Sequence, residues 1–446
     1  MSLLFKFLLW GVVTFSIAHA EEAQRIKPIP DPLTLNDALS FSYEPHTLLV
    51  NADLSIQKEK TLRREVEVET DLDIYLEGRL GYVQPSSLAV NQGNSDHRAG
   101  FVLSKTLYDF GRDEYALRSA DFSIKAEELS RRRVILERRL DIMQKFFDVI
   151  LADMRFYRYN EEMATEFVSL DKLRDQLEVG QVSDIQVMEK DVEYQRARYL
   201  RIKSQNSQRL TRAKLATAMG RSGELVTTIS KPKLPGLKIK LPDVEVLNKI
   251  AFKKNIKLNV LMSKLAAAEA KVQLASKADS PTVSLEAANY AYTRNIRSRD
   301  EYQLGIVVRV PIFAGNKTDV ETAKALHDVH QIKADIELLK DDIATSILDL
   351  WLEFDALKGK LQQMQTLTNY RELYLDRSRA LYELEVKTDL GDAMVRVSEA
   401  ERDFLKTQYD MVLVLTKIEL EVGKTLAGIM KDKETAAEKN SGVNEQ

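Results

Sequence analysis

Two groups of titratable side chains in the second half of the chain have a spacing that could support chemistry. His327 and His330 lie three residues apart on a predicted helix, with Asp328 between them, so they share roughly one face. A metal site needs a third ligand, and none is evident, so we interpret both histidines as surface residues. Asp389 and Asp392 are also three apart, at a helix start, where negative charge interacts favourably with the helix dipole.

The sequence contains no motif for catalysis or cofactor binding. G-x-S-x-G, P-loop, Rossmann and metalloprotease patterns are all missing. The 446 residues include no cysteine, which excludes disulfides, thiolate metal sites, cysteine nucleophiles and lipid attached through cysteine. The formal net charge is −3 with both signs interspersed, which disfavours nucleic-acid binding. We expect a protein that is not an enzyme and that uses no cofactor or metal.

The N-terminus has the order of a secretory signal. Lys6 precedes an apolar run from Phe7 to Ile17, and Ala18 to Ala20 supply the small residues of a cleavage site. The run is shorter than the roughly 18 to 20 residues of a spanning helix, so residues 1–20 are predicted to be a signal peptide. The mature chain is then exported, and in a membrane its backbone hydrogen bonding would require a closed barrel.

Four segments alternate between apolar and polar residues with period two. Asp71–Val83 and Ala99–Phe110 predict one hairpin, joined by a turn-rich segment. Pro281–Tyr292 and Tyr302–Phe313 predict a second hairpin. Aromatic residues recur near the strand ends, which is typical of the interfacial girdles of a membrane barrel, although aromatics are common in any strand.

Long helical arms follow each hairpin. The arm from Arg112 to Val182 would extend roughly 105 Å, far more than a globular core requires. In the second arm, apolar residues seven apart predict a coiled-coil seam, with a companion set between them. These residues are Ile336, Ile343, Leu350, Leu357 and Met364, with Ile347, Phe354 and Leu361 as the companions. The return helix has a similar pattern at Met394, Val397, Phe404, Met411, Leu415, Ile418 and Val422.

The two halves of the chain repeat one pattern at an offset of about 205 residues. Leu107–Gly111 corresponds to Pro311–Gly315, and Gly180–Ile185 corresponds to the segment that ends at Leu390. The predicted organisation is a first structural repeat of helix, hairpin and long helical hairpin over residues 21–222 and a second over 243–430. A linker covers 223–242, and 431–446 is expected to be a disordered polar tail.

Four amphipathic strands cannot close a membrane barrel, for which about eight is the smallest workable number. A dimer would supply eight strands and a trimer twelve with an open lumen. A trimer of twelve strands over twelve helical columns is the most economical tube. The predicted fold class is therefore mainly α, with a long α-helical coiled-coil barrel and four β-strands per chain in a shared 12-stranded barrel.

Three motifs carry a family resemblance. L-Y-D-F-G-R at Leu107–Arg112, its weaker copy at Pro311–Gly315 and V-G-Q-V-S at Val179–Ser183 resemble the TolC-like outer-membrane efflux proteins, also called outer membrane factors. Tyr382–Asp392 looks like the second helical turn of that family. The resemblance implies a homotrimeric channel in the outer membrane of a Gram-negative bacterium, acting as the passive exit duct of an efflux or type I secretion system. It further implies a periplasmic adaptor (membrane fusion) protein and an inner-membrane ABC or proton-driven transporter as partners.

The resemblance also implies the site residues. The two helical turns would contact the adaptor through Val179, Gly180, Gln181, Val182 and Ser183, and through Val386, Lys387 and Thr388. Closure of the tunnel would involve Asp184, Lys387, Asp389 and Asp392. The two aspartates of the second turn would form carboxylate rings that favour cations.

The second turn departs from the family pattern. Glu385 stands where a glycine is usual, and Gly391 and Met394 stand where the best-known members carry their pore carboxylates. Lys387 does match a basic position thought to lock that turn. Two alternatives remain: a periplasmic coiled-coil adaptor or scaffold, in which the alternating segments form a small soluble sandwich, and an exported enzyme.

Overall fold

The computed structural model describes residues 28–234, 239–294, 296, 299–313, 315–384 and 389–429. The predicted signal peptide at 1–20 and the predicted tail at 431–446 lie outside the described residues. The helices and strands are α1 (Leu35–Ser40), α2 (Thr47–Glu69), β1 (Asp73–Arg79), β2 (Arg98–Tyr108), α3 (Arg112–Glu178), α4 (Asp184–Met219), α5 (Val244–Lys254), α6 (Ile256–Ser276), β3 (Thr282–Tyr292), β4 (Tyr302–Arg309), α7 (Lys317–Glu383) and α8 (Leu390–Val422).

The predicted duplication is present in the element order and in the lengths of the long arms. α3 and α7 both have 67 residues, and each follows the second strand of a hairpin. The D-F-G sequence explains how α3 begins. Asp109 accepts hydrogen bonds from the N–H groups of Gly111 (3.1 Å) and Asp113 (2.6 Å), and Gly111 has a φ of 87°. The carboxylate therefore pairs an N–H of the first helical turn, while glycine permits the left-handed backbone before the helix.

The helices form a single layer of columns. α2 and α4 both pack along α3, α6 and α8 pack between α3 and α7, and α7 forms one border of the layer. The layer has four columns per chain, the number that the predicted twelve columns of a trimer require. The predicted seam of α7 is confirmed from Ile336 to Leu357, because its members there are buried against α6 and α8. Met394 was predicted to be in the seam of α8, which is wrong: it is exposed, and its neighbours Ala393 and Val395 are buried instead.

The two predicted hairpins join into one antiparallel sheet with the order β1-β2-β3-β4. Two of the strands end four residues earlier than predicted. β1 ends at Arg79 rather than at Val83, and β4 ends at Arg309 rather than at Phe313. Pro311 lacks an N–H group, which disfavours continued pairing of β4. Because the strands form one sheet, the small sandwich of the adaptor alternative is not formed.

The sheet has one apolar and one polar face, as the alternation predicted. On the polar face, Tyr290 donates its hydroxyl proton to Glu77 at 3.0 Å, and Arg98 forms an ion pair with the same carboxylate. Gly100 is required below the Tyr290 ring, since a Cβ at this position would lie 2.5 Å from Cδ1 of the ring. The opposite face exposes large apolar side chains, namely Ile74, Leu76, Phe101, Leu304, Ile306 and Val308.

Two columns consist of two helices stacked end to end, namely α2 with α4 and α6 with α8. Each of these columns has a break near mid-height, and different side chains bridge the two breaks. At the α2/α4 break, buried Arg138 of α3 donates to the carbonyl oxygens of Ser42 (3.0 Å), Glu44 (2.8 Å) and Met219 (3.1 Å). Burial lowers the pKa of Arg138, and the charge of Glu44 partly offsets this effect. At the α6/α8 break, the Asn255 side chain donates to the Glu421 carbonyl at 2.7 Å. Within the described residues, no helix is both long enough and apolar enough to cross a bilayer.

Candidate functional site

The turn between α3 and α4 is fully described and contains five of the predicted contact residues. After the C-cap residue Val179, Gly180 adopts a φ of 71°. The Gly180 N–H donates to the Leu177 carbonyl and the Gln181 N–H to the Gln176 carbonyl, both at 2.9 Å. This pair of bonds is the Schellman pattern, in which the left-handed residue satisfies carbonyls at the end of the helix. α3 therefore ends at Glu178, four residues before the predicted end of the arm at Val182.

The return helix α4 begins with a capping box. The backbone N–H of Ser183 donates to Gln186 Oε1 at 2.9 Å, and the Ser183 hydroxyl donates to the same atom at 3.2 Å. Val179, Gly180, Gln181 and Ser183 are exposed, while Val182 is half-buried. The turn therefore presents small side chains at the end of a rigid helical hairpin.

An ion pair fixes the hairpin just above this turn. Lys190 of α4 contacts Glu166 of α3 at 2.6 Å and Glu193 of its own helix at 2.7 Å. Burial alone would lower the pKa of Lys190, but the hydrogen bonds to the two carboxylates outweigh this effect, and the pKa is raised. Lys190 therefore remains charged at neutral pH and connects the two arms of the hairpin.

The second turn is described only at its borders. Val386, Lys387 and Thr388 lie outside the described residues, as does Glu385. α7 ends at Glu383 and α8 begins at Leu390, with Asp389 at the N-cap position. The Tyr374 hydroxyl donates to Asp389 Oδ2 at 2.8 Å, which connects the last turns of α7 to the start of α8.

The three described candidates for closure occupy two different hairpins. Asp184 is exposed in the first turn of α4. Asp389 and Asp392 both lie at the start of α8, where Asp389 is half-buried and Asp392 is exposed, 3.4 Å from Arg396. The structure thus brings Asp389 and Asp392 together on one helix end, as predicted, and places Asp184 on the other hairpin. The fourth candidate, Lys387, lies outside the described residues.

The similarity of this chain to known proteins lies in its structure rather than in its sequence. No protein-family model matches the sequence, and no curated protein matches it. Solved structures do match: the outer membrane channel CmeC of Campylobacter jejuni has a TM-score of 0.71 at 12% identity, over 89% of this chain and 88% of that chain. The outer membrane protein VceC of Vibrio cholerae has a TM-score of 0.66 at 14% identity, over 88% of this chain and 96% of that chain. The MtrE outer membrane channel of Neisseria gonorrhoeae, in its open state, has a TM-score of 0.65 at 16% identity, over 88% of this chain and 89% of that chain. The chain has the TolC-like fold.

Gly391, which the sequence singled out only as a departure from the TolC-like pattern, has a packing role. A Cβ at this position would lie 2.4 Å from Cγ2 and 2.7 Å from Oγ1 of Thr165 on α3. Any larger residue would therefore push α8 away from α3 near the second turn. The available sequence signal was a glycine inside a helical pattern, which often marks a close approach between helices.

Polar contacts between α3 and α8 continue above Gly391, and sequence reasoning missed them. The Ser398 hydroxyl donates to Glu161 Oε2 at 2.8 Å, and Arg158 lies 3.8 Å from Glu399. Each contact joins residues more than 200 positions apart, so no local pattern could have predicted it. Together with Gly391, these contacts fix the second hairpin against the first.

The histidine pair does not form a metal site in the structure. His327 and His330 are both exposed on α7. The described part of the chain contains no group of three or more histidine, aspartate or glutamate side chains arranged to hold a metal ion. The exposure of both side chains agrees with their interpretation as surface residues.

Proposed function

We propose that the chain is one subunit of a homotrimeric outer-membrane channel that acts as the passive exit duct of an efflux or type I secretion system. The observation that carries this proposal is the sheet. It exposes a continuous apolar face, with Leu304 at 77% and Leu76 at 68% exposure, and it is joined directly to two 67-residue helices. Apolar patches of this kind on a folded surface mark contact with a membrane or a partner.

The sheet also has two open edges, which support closure between subunits. β1 and β4 are the outer strands of the described sheet. If β4 of one subunit pairs with β1 of the next, three chains close a 12-stranded barrel without exposed edges. The apolar face then contacts lipid and the polar face, which carries Glu77, Arg98 and Tyr290, lines the lumen. The similarity to the CmeC and MtrE outer membrane channels supports this arrangement.

Two helical stripes support the same ring. One stripe on α4 lies opposite the side that packs on α3, and we call it the α4 stripe; it comprises Ile185, Met188, Val192, Tyr199 and Ile202, all exposed. The other lies on α7 opposite α6, and we call it the α7 stripe; it comprises Leu338, Leu348, Leu352, Tyr370 and Leu373, all exposed. The stripes lie on the two borders of the helical layer. In a closed ring, the α4 stripe meets the part of the α7 stripe nearest the turns, which includes Tyr370 and Leu373.

The helical turns at the far end are proposed to meet the periplasmic adaptor and to close the tunnel. The exposed turn Val179–Ser183 supports adaptor contact, and the same role is proposed for Val386, Lys387 and Thr388. Asp184, Lys387, Asp389 and Asp392 are the proposed closing residues. An inner-membrane ABC or proton-driven transporter would supply the energy, since a wide passive duct supplies none.

Fractionation, mass and conductance measurements test the channel proposal. The mature protein should sediment with outer membranes, have the mass of a trimer in mild detergent, and conduct ions across a planar bilayer. Recovery in the soluble fraction or the inner membrane would instead favour the adaptor alternative. A monomer that still conducts would contradict the shared barrel, and substrate turnover by the purified protein would favour the enzyme alternative.

Site-specific cross-linking tests the tip. Because the chain has no cysteine, Val179→Cys introduces a single attachment point for a photoactivated cross-linker. Cross-linking in cells should capture a periplasmic adaptor protein. Val168→Cys is the matched control, since Val168 is also an exposed valine but lies within α3, ten residues before its last residue, Glu178. Equal capture from both positions, or none from Val179, would contradict a contact at the turn.

A further inference from the structure

The end of the linker, together with α5 at the start of the second repeat, has a high density of positive charge. In its described part, from residue 231 to residue 254, the only carboxylates are those of Asp243 and Glu245, and there is no arginine. Six exposed lysines, which we call the lysine belt, lie in this segment: Lys231, Lys233, Lys240, Lys249, Lys253 and Lys254. The expected mixing of both charge signs therefore holds for the chain as a whole but not here.

The belt lysines do not take part in ion pairs. In the described part of the chain, no carboxylate lies within ion-pair distance of any of them, and their ammonium groups make no hydrogen bond to the protein. Lys257 provides a contrast, because it lies just beyond the belt and contacts Glu421 at 2.8 Å. Lys253 and Lys254 lie in the last turn of α5, where positive charge interacts favourably with the helix dipole, but the six clustered like charges also repel one another. The charge of the belt is available for a partner.

The apolar residues between the lysines hold the segment on the helical layer. Leu234 packs against the core cluster of the first repeat, and Leu241 belongs to the cluster of the second. In α5, Leu247 and Ala251 are fully buried. The Trp351 indole donates to the Pro242 carbonyl at 3.2 Å. The belt is thus attached to a packed surface with its lysines directed into solvent.

The linker that carries the first belt lysines lies on the convex side of the helical layer. One groove is lined by residues of all four columns, namely Glu59 of α2, Glu127 of α3, Lys264 of α6 and Asp328 of α7. Side chains of four neighbouring columns can meet only on the concave side of a curved layer, so the groove lies on that side. Met143 and Phe147 lie about half a turn around α3 from Glu127. These two residues belong to the cluster against which Leu234 packs. In a closed ring, the linker therefore lies on the outside of the tube.

We propose that the lysine belt binds a carboxylate-bearing polymer of the cell wall, such as peptidoglycan, where that polymer surrounds the tube. This inference rests on the proposed function, which places the middle of the helical tube in the periplasm. At 1.5 Å per residue, the level of Met143 lies about 50 Å along α3 from the sheet. Three copies of the belt around the tube would present repeated positive charge to repeated negative charge.

The type of side chain favours a polymer over a folded protein partner. Protein interfaces are enriched in arginine and aromatic residues and depleted in lysine. The belt has only lysines, and its one aromatic residue, Phe252, is only 39% exposed. Lysine is a compact, strongly hydrated charge on a flexible stem, which suits attraction without fixed geometry. Such binding should be strongly salt-dependent, because the screening length is about 8 Å at physiological ionic strength.

Sedimentation with purified peptidoglycan sacculi tests the proposal with the full-length protein in detergent. The belt variant changes all six lysines to glutamine. The control variant makes the same number of Lys→Gln changes at exposed lysines that also lack ion pairs but lie on the helical columns, namely Lys60, Lys125, Lys172, Lys264, Lys324 and Lys360. We expect the belt variant to bind at least about tenfold more weakly and the control variant to bind like the parent protein. Binding of the parent protein should also be lost at high salt and with sacculi whose carboxylates have been amidated.

Three results would overturn the inference: unchanged binding by the belt variant, equal loss in the control variant, or equal binding to amidated and unmodified sacculi. The belt variant should still form a conducting trimer, which separates this inference from the channel proposal. A protein that binds sacculi through the belt but neither trimerises nor conducts would contradict the channel proposal alone.

Discussion

The two 67-residue helices have the same length and the same place in their repeats, but they have different neighbours. α3 is flanked on both sides, by α2 and α4 and by α6 and α8. Within the described residues, α7 packs on α6, α8 and the short α5, so one of its flanks has no partner in this part of the chain. That flank carries the α7 stripe, where Leu373 is 71% exposed. The difference supports the proposed ring, in which another copy would provide the neighbour that α7 lacks.

The largest expected effect comes from placing charges in the α7 stripe. We expect Leu352→Lys with Leu373→Lys to abolish the trimer while the monomer keeps its helical content. Burial of each leucine in the ring would contribute about 2 kcal/mol, and each substitution would also place an unpaired charge in all three interfaces. Light scattering coupled to size exclusion in mild detergent would measure the loss of assembly.

The flanked helix α3 provides the control for this experiment. Tyr157 and Val168 are also large exposed apolar residues, but they lie on a helix with both flanks occupied. Tyr157→Lys with Val168→Lys should therefore leave the trimer intact. If both double variants dissociate, or if neither does, the contrast between the two helices does not report the subunit interface.

Much of this architecture could be predicted from the sequence because it rests on periodic patterns. The seven-residue spacing from Ile336 to Leu357 predicted the buried seam of α7, and period-two alternation predicted the amphipathic strands. The pairing of β2 with β3 could not be derived in this way. It joins Arg98 to Tyr292 across almost 200 residues, and the alternating pattern of one hairpin does not indicate which strand of the other hairpin lies beside it. Met394 was misplaced because the buried stripe of α8 shifts to Ala393 and Val395 near the helix start.

The breaks between stacked helices differ between the repeats, and this difference predicts the next largest effect. Arg138→Met should destabilise the folded protein by about 3 kcal/mol, because it leaves several buried carbonyls of the α2/α4 break without their charged donor. Asn255→Ala at the α6/α8 break should cost about 1 to 2 kcal/mol, because Asn255 is neutral and makes fewer such bonds. Chemical denaturation monitored by circular dichroism would measure both changes.

Arg139 is the matched control for Arg138, because it is the next residue of α3 and is exposed. Arg139→Met should change the free energy of unfolding by less than about 0.5 kcal/mol. If Arg138→Met has no larger effect than Arg139→Met, the buried guanidinium does not hold the break together.

Glycines on α8 and α7 give a third contrast. Gly391→Ala should destabilise the contact between α8 and α3 by about 1 to 3 kcal/mol, because the new methyl group would overlap with Thr165. Gly359→Ala lies on the α7 stripe face, so it is compared in the dissociated monomer. There it should be neutral or slightly stabilising, since a Cβ at this position meets no atom of the chain within 4 Å and alanine favours the helix. Thermal unfolding of both variants would measure this difference.

A second-site change tests the cause of the Gly391 effect. Thr165→Ala removes the two atoms nearest to the new methyl group, so the combination of Gly391→Ala with Thr165→Ala should recover most of the lost stability. Additive losses would indicate that the close approach at Gly391 is not responsible. Conductance of the same variants would show whether separation of α8 from α3 also favours an open tunnel, as the proposed closing role of the second turn requires.

The candidate site was less predictable than the fold, for a physical reason. Turn chemistry is local, so Gly180 and Ser183 could be assigned to a helix end and a cap from their residue types alone. The contacts that fix the second hairpin are not local. Neither Glu161 nor Thr165 had a signature that pointed to α8, and Gly391 was noticed only as a departure from a family pattern.

The smallest expected effect concerns the connection between α7 and α8 at the second turn. Tyr374→Phe removes the hydroxyl that donates to Asp389, and a single such bond contributes about 1 kcal/mol. If this bond favours the closed tunnel, its loss should raise the open probability in single-channel recordings about fivefold, which corresponds to that energy. Tyr157→Phe is the control, because Tyr157 is an exposed tyrosine of α3 outside both stripes and its hydroxyl has no hydrogen bond within the described residues. Equal effects from both tyrosines, or none from Tyr374, would exclude the Tyr374–Asp389 bond as part of the closing mechanism. The α3–α8 contacts near Gly391 would then be the remaining structural candidate.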